Sequence, residues 1–122
     1  MPRMVAVQAQ DCSPIVNAWL TGGDVVPQER CRTVASAIMV KVPFNAYSAL
    51  DAIKRSGGEA VSVTDEAIIA AIKTLGKEGV FAEPASAAAA AAMQSMKIGK
   101  DETTVLVITG SGLKDPDAQF RE

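Results

Sequence analysis

From Ala85 to Ala92 every residue except Ser86 is alanine, and the run directly follows Glu83-Pro84. Alanine has the highest helix propensity of any residue, and Pro84 suits the first helical position, so a helix is favoured here by local forces alone. This helix has no large side chain to define an apolar face. It is stabilised best where its backbone approaches another surface closely, as beneath a β-sheet. The chain therefore has to supply strands. Met4 to Ala9 (M-V-A-V-Q-A) is strand-like, Glu59 to Val63 and Val80-Phe81-Ala82 read as short strands, the second of them buried, and Thr103 to Thr109 (T-T-V-L-V-I-T) reads as a central parallel strand buried on both faces. Helical stretches separate these runs, with no internal repeat and no long linker. The alternation predicts a single α/β domain over residues 1–122, with a mainly parallel sheet and flanking helices.

The punctuation between elements is specific. Asp11, Cys12, Ser13 and Pro14 open a helix through Ile15, Val16, Trp19 and Leu20, which Gly22-Gly23 stops. Val34 to Val42 is apolar enough for an extended stretch and closes on Pro43. Ala46, Leu50 and Ile53 recur at helical spacing, with Lys54 and Arg55 in the last turn and Gly57-Gly58 at the end. Thr64 caps a further helix carrying Asp65 and Glu66 in its first turn and Ile68, Ala71, Ile72 and Leu75 on its inward face. Met93 and Met96 read as core filler.

Composition narrows the function classes. A net charge of −2 with both signs interspersed leaves no basic stripe for nucleic acid or an anionic membrane, and no apolar run has the length of a span or a secretion signal. A cytoplasmic protein is expected. Cys12 and Cys31, without C-x-x-C spacing, read as separate thiols in small apolar roles within a reducing compartment. The chain has 0 histidines, which removes the commonest general base and metal ligand. No metal site and no acid/base pair of carboxylates is expected; Asp115, Asp117 and Glu122 read as solvated charge.

Ligands of parallel sheets bind beyond the carboxyl ends of strands. Two such ends carry chemistry: Glu83, after V-F-A, and Thr109-Gly110-Ser111-Gly112, after V-L-V-I. Each also has a plain structural reading. Glu83 can cap the exposed N–H groups of the following helix, and the glycines can simply satisfy positive φ in a turn. The spacing to Lys114 is wrong for a P-loop.

Taken together, V-F-A-E-P-A-S-A-A-A-A-A (80–91) and V-L-V-I-T-G-S-G-L-K-D-P (105–116) resemble the two carboxy-terminal signatures of threonine synthases. S-G-G-E-A-V-S-V-T-D-E-A-I (56–68) resembles the connection between those regions, and P-R-M-V-A-V-Q-A the strand after the family's phosphate-binding glycine loop. The resemblance implies part of a tryptophan-synthase-β-like (fold type II) enzyme. In that fold pyridoxal phosphate lies between two α/β domains and, in threonine synthase, serves conversion of O-phosphohomoserine and water to threonine and phosphate. It further implies that Thr109 presents its hydroxyl to the pyridine nitrogen, that Gly110 and Ser111 line the same wall, that Glu83 lies near the ring, and that Ala85 and Ser86 shape the adjoining helix start.

The family's cofactor-bearing lysine, a nearby asparagine and the glycine-rich phosphate cradle lie upstream of the matched segment. None of Lys41, Lys54, Lys73, Lys77, Lys97, Lys100 or Lys114 sits in the lysine's context. The resemblance thus implies a carboxy-terminal portion that holds no catalytic residue, is inactive alone, and depends on an amino-terminal lysine-bearing partner. Met39-Val40-Lys41-Val42-Pro43-Phe44-Asn45 departs from the isoleucine-glycine-asparagine-proline stretch of threonine synthases, which leaves room for a serine/threonine dehydratase or a cysteate synthase. Two other readings stand beside these: a non-catalytic module that self-associates as a homo-oligomer, and a small-molecule sensor using the 109–112 turn.

Overall fold

A computed structural model describes residues 1–120; Glu122, expected as surface charge, lies outside them. Strand β1 (Val5–Ala9) and strand β2 (Glu59–Val63) pair in parallel, with Val5 opposite Glu59 and Ala9 opposite Val63. Four helices surround the pair: α1 (Pro14–Thr21), α2 (Ala46–Ser56), α3 (Asp65–Lys77) and α4 (Pro84–Ser95). Short 3₁₀ turns occur at Ser36–Ile38, Gly112–Lys114 and Ala118–Phe120.

Strand alternation divides the core in two. Ala6 and Ala60 face α1 and α2 and pack with Val16, Ile53, Ile15 and Trp19. Val7, Val61 and Val63 face the other way, onto Ile68, Ala71 and Ile72 of α3 and the buried alanines of α4. The alanine helix therefore sits under the sheet and against α3, as its lack of bulk requires. The result is a three-layer α/β arrangement.

Local chemistry explains the boundaries. Helix α1 is capped from β1: the buried Gln8 side chain accepts from the amides of Ile15 (2.9 Å) and Val16 (3.1 Å) through Oε1. Gly22 closes α1 at φ 66°, and Gly57 closes α2 at φ 65°, the left-handed conformation that favours glycine. Gly58 is needed for a different reason, since a Cβ there would overlap the backbone of Met4 as the chain enters β2. Thr64 Oγ1 accepts from the Ala67 amide and caps α3. The Asp65 carboxylate accepts from Thr33 Oγ1 (2.6 Å) and the Val34 amide (3.0 Å), pinning the long connection before α2.

Five sequence expectations are corrected. Val34 to Val42 is irregular with one 3₁₀ turn, because Val34 and Ile38 turn into the core while Val40 and Val42 stay exposed. Val80-Phe81-Ala82 is no buried strand: Val80 and Phe81 are exposed, and Ala82 makes a single antiparallel bridge to Ser111. Thr103 to Thr109 is not a paired strand; Leu106 and Ile108 pack on the core while Val105 and Val107 are 81% and 70% exposed. Met93 is exposed rather than core, at the outer end of α4. Cys12 and Cys31 are not separate thiols but a disulfide with Cα atoms 4.9 Å apart, tying the buried start of α1 to the following connection. None of the helices among the described residues is long and apolar enough to cross a membrane.

Candidate functional site

The turn after Ile108 lies across the start of α4. The Glu83 amide donates to the Gly110 carbonyl (3.1 Å) and the Gly112 amide to the Phe81 carbonyl (2.8 Å), flanking the Ala82–Ser111 bridge. Ser86 completes the join: its Oγ, on a residue only 5% exposed, accepts from the Gly110 amide at 2.8 Å. Two segments separated by more than twenty residues of chain are thus fastened into one unit.

Glu83 occupies the N-cap position of α4, yet its side chain makes no capping hydrogen bond. The carboxylate instead turns onto the 110 turn, where it is 13% exposed and lies 3.6 Å from Lys114 Nζ. A Cβ at Gly110 would overlap that carboxylate, and one at Gly112 would overlap the Phe81 ring. Neither glycine is among those with positive φ, so close approach is the reason for both. Ser111 faces solvent and its hydroxyl accepts from the Leu113 amide, capping the 3₁₀ turn. Thr109 is exposed, and its hydroxyl has no hydrogen-bond partner among the described residues. The structure therefore brings Glu83, Gly110 and Ser111 together, with Thr109 at the open edge.

Two concave surfaces lie elsewhere, and the sequence reading did not single them out. One, of about 240 Å³, sits at the carboxyl ends of β1 and β2 and is lined by Gln10, Asp11, Thr64, Asp65 and Glu66. The polar residues directly following both strands were the available signal. Glu66 is held below its ordinary carboxylate value of 4.5 by its own backbone amide first and by the Thr64 hydroxyl second. The other, of about 480 Å³, opens beside the disulfide and is lined by Asp11, Gln28, Glu29, Arg30, Cys31, Arg32 and Lys41. Neither includes Glu83 or the 109–111 turn. No group of histidine, cysteine, aspartate or glutamate side chains among the described residues is arranged to hold a metal ion.

Parallel strands flanked by helices, with polar turns gathered beyond strand ends, define an α/β protein. Residues 1–110 match the family described as pyridoxal-phosphate dependent enzyme. The chain belongs to that family. It is 46% identical to a threonine synthase of Methanocaldococcus jannaschii over 99% of the chain and 31% of the relative, and 48% identical to one of Methanosarcina acetivorans over 95% and 30%. A threonine synthase of Mycobacterium leprae is 37% identical over 100% of the chain and 33% of the relative. The chain thus spans about a third of the length of these curated relatives. The structure of maize serine racemase superposes with a TM-score of 0.62 at 19% identity, covering 74% of the chain and 26% of the racemase. A T.th. threonine deaminase gives 0.61 at 20% identity, covering 75% of the chain and 33% of the deaminase. These two likenesses establish the fold, that of fold type II pyridoxal-phosphate enzymes in part.

The residues present fit one edge of the cofactor ring and no more. Thr109 offers an exposed hydroxyl with no partner among the described residues, and the adjoining turn is backed by Glu83, Ser86 and Phe81. The positive-φ glycines, Gly22, Gly57 and Gly79, each stand alone or with one further glycine, so the described residues contain no glycine-rich cradle for its phosphate.

Proposed function

We propose that these residues form one wall of the cofactor site of a threonine-synthase-like enzyme, which converts O-phosphohomoserine and water to threonine and phosphate. The observation that carries this reading is the fastening of the 109–112 turn to Glu83 and Ser86, which joins the two threonine-synthase-like signatures into a single surface with an exposed hydroxyl at its edge. The 46% and 48% identity to threonine synthases over nearly the whole chain supports the same substrate class.

When bound, pyridoxal phosphate supplies the electron sink for chemistry on the amino-acid substrate. The chain's part is to orient it. Thr109 Oγ1 would donate a hydrogen bond to an unprotonated ring nitrogen, where an aspartate would instead favour the protonated ring and so change the sink. Gly110 and Ser111 line the wall beside it. Glu83, paired with Lys114, backs the turn and holds Thr109 in place. No residue among them is placed as acid, base or nucleophile.

In this reading the lysine that carries the cofactor and the phosphate cradle belong to an amino-terminal, lysine-bearing portion of the enzyme, and the 122 residues tested by themselves are expected to retain little cofactor and to turn over nothing. Mixing the chain with the lysine-bearing portion of an archaeal threonine synthase is expected to produce the visible absorbance of protein-bound cofactor and to release phosphate from O-phosphohomoserine. Absence of any gain over the partner alone would sink this reading. The Met39–Asn45 departure leaves room, as a second reading, for a serine/threonine dehydratase or a cysteate synthase: ammonia release from serine or threonine would select the dehydratase, and sulfite-dependent phosphate release from a phosphorylated serine the cysteate synthase.

A further inference from the structure

We propose that the concavity beside the disulfide is a binding site for a small organic phosphate whose other end carries hydrogen-bond donors, hydroxyl or ammonium. Such binding needs neither the cofactor nor a partner polypeptide, and so stands apart from the function just proposed. The space, about 480 Å³, falls within the roughly 300–1,000 Å³ of small-molecule sites. Apart from the Cys31 sulfur its lining is polar or charged, which excludes an apolar ligand. Arg30, Arg32 and Lys41 line it together with Asp11 and Glu29.

These charges do not neutralise one another. The ion pairs among the described residues are Arg3–Glu102, Arg55–Asp51 and Lys114–Glu83, and the side chains of Arg30, Arg32, Lys41, Asp11 and Glu29 make no hydrogen bond or ion pair there. Opposite charges that line one cavity without closing on each other are positioned by the backbone that carries them. That backbone is fastened at one residue: the Gln28 amide donates to the Lys41 carbonyl (3.0 Å), Gln28 Oε1 accepts from the Ser13 amide (3.1 Å), and Gln28 Nε2 donates to the Asp11 carbonyl (2.8 Å). The Cys12–Cys31 disulfide adds a second tie, between Arg30 and Arg32. Three stretches of chain are thus brought to one place by bonds internal to the protein, the preorganisation that lowers the cost of binding.

The charges identify the ligand. Two guanidinium groups suit bidentate contacts with phosphate oxygens, and the lysine adds a point charge. Lys41 lies in the Met39–Asn45 stretch, which departs from the uncharged isoleucine-glycine-asparagine-proline of threonine synthases, so this cation belongs to the present chain and not to that signature. The two carboxylates would repel a bare anion, but they accept hydrogen bonds from donors at the ligand's other end. Location agrees with a ligand site. Asp11 follows β1 and also lines the concavity of about 240 Å³ at the carboxyl ends of β1 and β2, the side of a parallel sheet on which ligands bind. Neither Glu83 nor the 109–111 turn contributes, so the site is separate from the proposed cofactor wall.

The test is isothermal titration of the chain at fixed ionic strength with O-phosphoserine, glycerol 3-phosphate and methyl phosphate. At least one of the two donor-bearing phosphates should bind about 10-fold more tightly than methyl phosphate, the gain that a single charge-assisted hydrogen bond gives. The tighter of the two tells whether the donor is an ammonium or a hydroxyl. Arg32→Gln and Lys41→Gln should each weaken that binding by about 10-fold, and Asp11→Asn combined with Glu29→Gln should erase the preference over methyl phosphate. Lys73→Gln, on the exposed face of α3 and outside the lining, should leave it unchanged. The four substituted side chains of the site bond to nothing among the described residues, so circular dichroism of these variants should match wild type. Methyl phosphate binding as tightly as both other probes overturns the ligand class. Binding unmoved by Arg32→Gln and Lys41→Gln lies elsewhere on the chain and overturns the site. No binding of any probe up to about 10 mM overturns the proposal outright, and none of these outcomes bears on the cofactor wall.

Discussion

Replacing Ser86 by alanine removes the acceptor of the Gly110 amide, a donor in a buried site with no other partner among the described residues. A buried N–H left unpaired costs about 1–3 kcal/mol. Alanine is a better helix former than serine, and that offsets roughly 0.5 kcal/mol at this position in α4. Loss of one oxygen from a site already lined by alanines leaves little void. The net expectation is therefore a destabilisation of about 1–2 kcal/mol. Urea unfolding reads this directly: with a slope of about 2 kcal/mol per molar, the midpoint should fall by about 0.5–1 M with the slope unchanged. Ser95→Ala is the control, because Ser95 is exposed near the end of the same helix and its hydroxyl donates only to the Ala92 carbonyl. A shift within about 0.5 kcal/mol is expected there. If Ser86→Ala proves no less stable than Ser95→Ala, the Ser86–Gly110 bond does not fasten the turn and the account of the site is wrong.

Reduction of the Cys12–Cys31 bond, which closes a loop across a sequence separation of 19, should cost up to about 3 kcal/mol, read as a lower urea midpoint in dithiothreitol than in its absence; equal midpoints with both thiols shown free by alkylation would refute it. Glu66 has a depressed folded-state pKa, so its contribution to stability is fully present above the ordinary value of 4.5 and is lost as pH falls through the lower folded value. Unfolding curves of wild type and Glu66→Gln should therefore differ at neutral pH and converge in acid; a difference that grows in acid has the wrong sign. Glu83→Gln keeps the side chain wedged against Gly110 and loses only the pair with a Lys114 that is 65% exposed, so its stability should match wild type within about 1 kcal/mol, whereas Glu83→Ala, which empties the wedge, should be less stable than Glu83→Gln in the same melt.

What the sequence made legible was everything decided within a few residues. Thr64 before Asp65-Glu66, Pro84 after Glu83, and glycines at 22 and 57 each act locally, and the helices begin and end where those residues stand. Strands β1 and β2 were legible too, although their pairing was not. The failures share one cause, because a strand exists only if something lies beside it. Thr103 to Thr109 has the composition of a central strand, but no edge among the described residues reaches it. Val34 to Val42 is equally apolar, yet Asp65 captures its beginning and breaks its run. The cysteine pairing is likewise a long-range fact that spacing does not encode. At the site, Glu83 and Gly110 were both singled out, but the bland readings offered for them, helix capping and positive φ, concern each residue separately and miss that each explains the other.

That mutual explanation bears on which group is left for a ligand. Gly110 has no side chain because the Glu83 carboxylate fills the space a Cβ would need, and Gly112 has none because the Phe81 ring does. Ser86 is occupied by the Gly110 amide, and Ser111 by the Leu113 amide. The two signature segments are thus one interlocked object, and a change in either must be answered in the other. The Ser86 and Ser111 hydroxyls and the Glu83 carboxylate are all engaged in holding the turn, whereas Thr109 keeps an exposed hydroxyl with no hydrogen-bond partner among the described residues. A turn immobilised in this way while one hydroxyl stays exposed is the arrangement that the proposed role as an orienting wall requires.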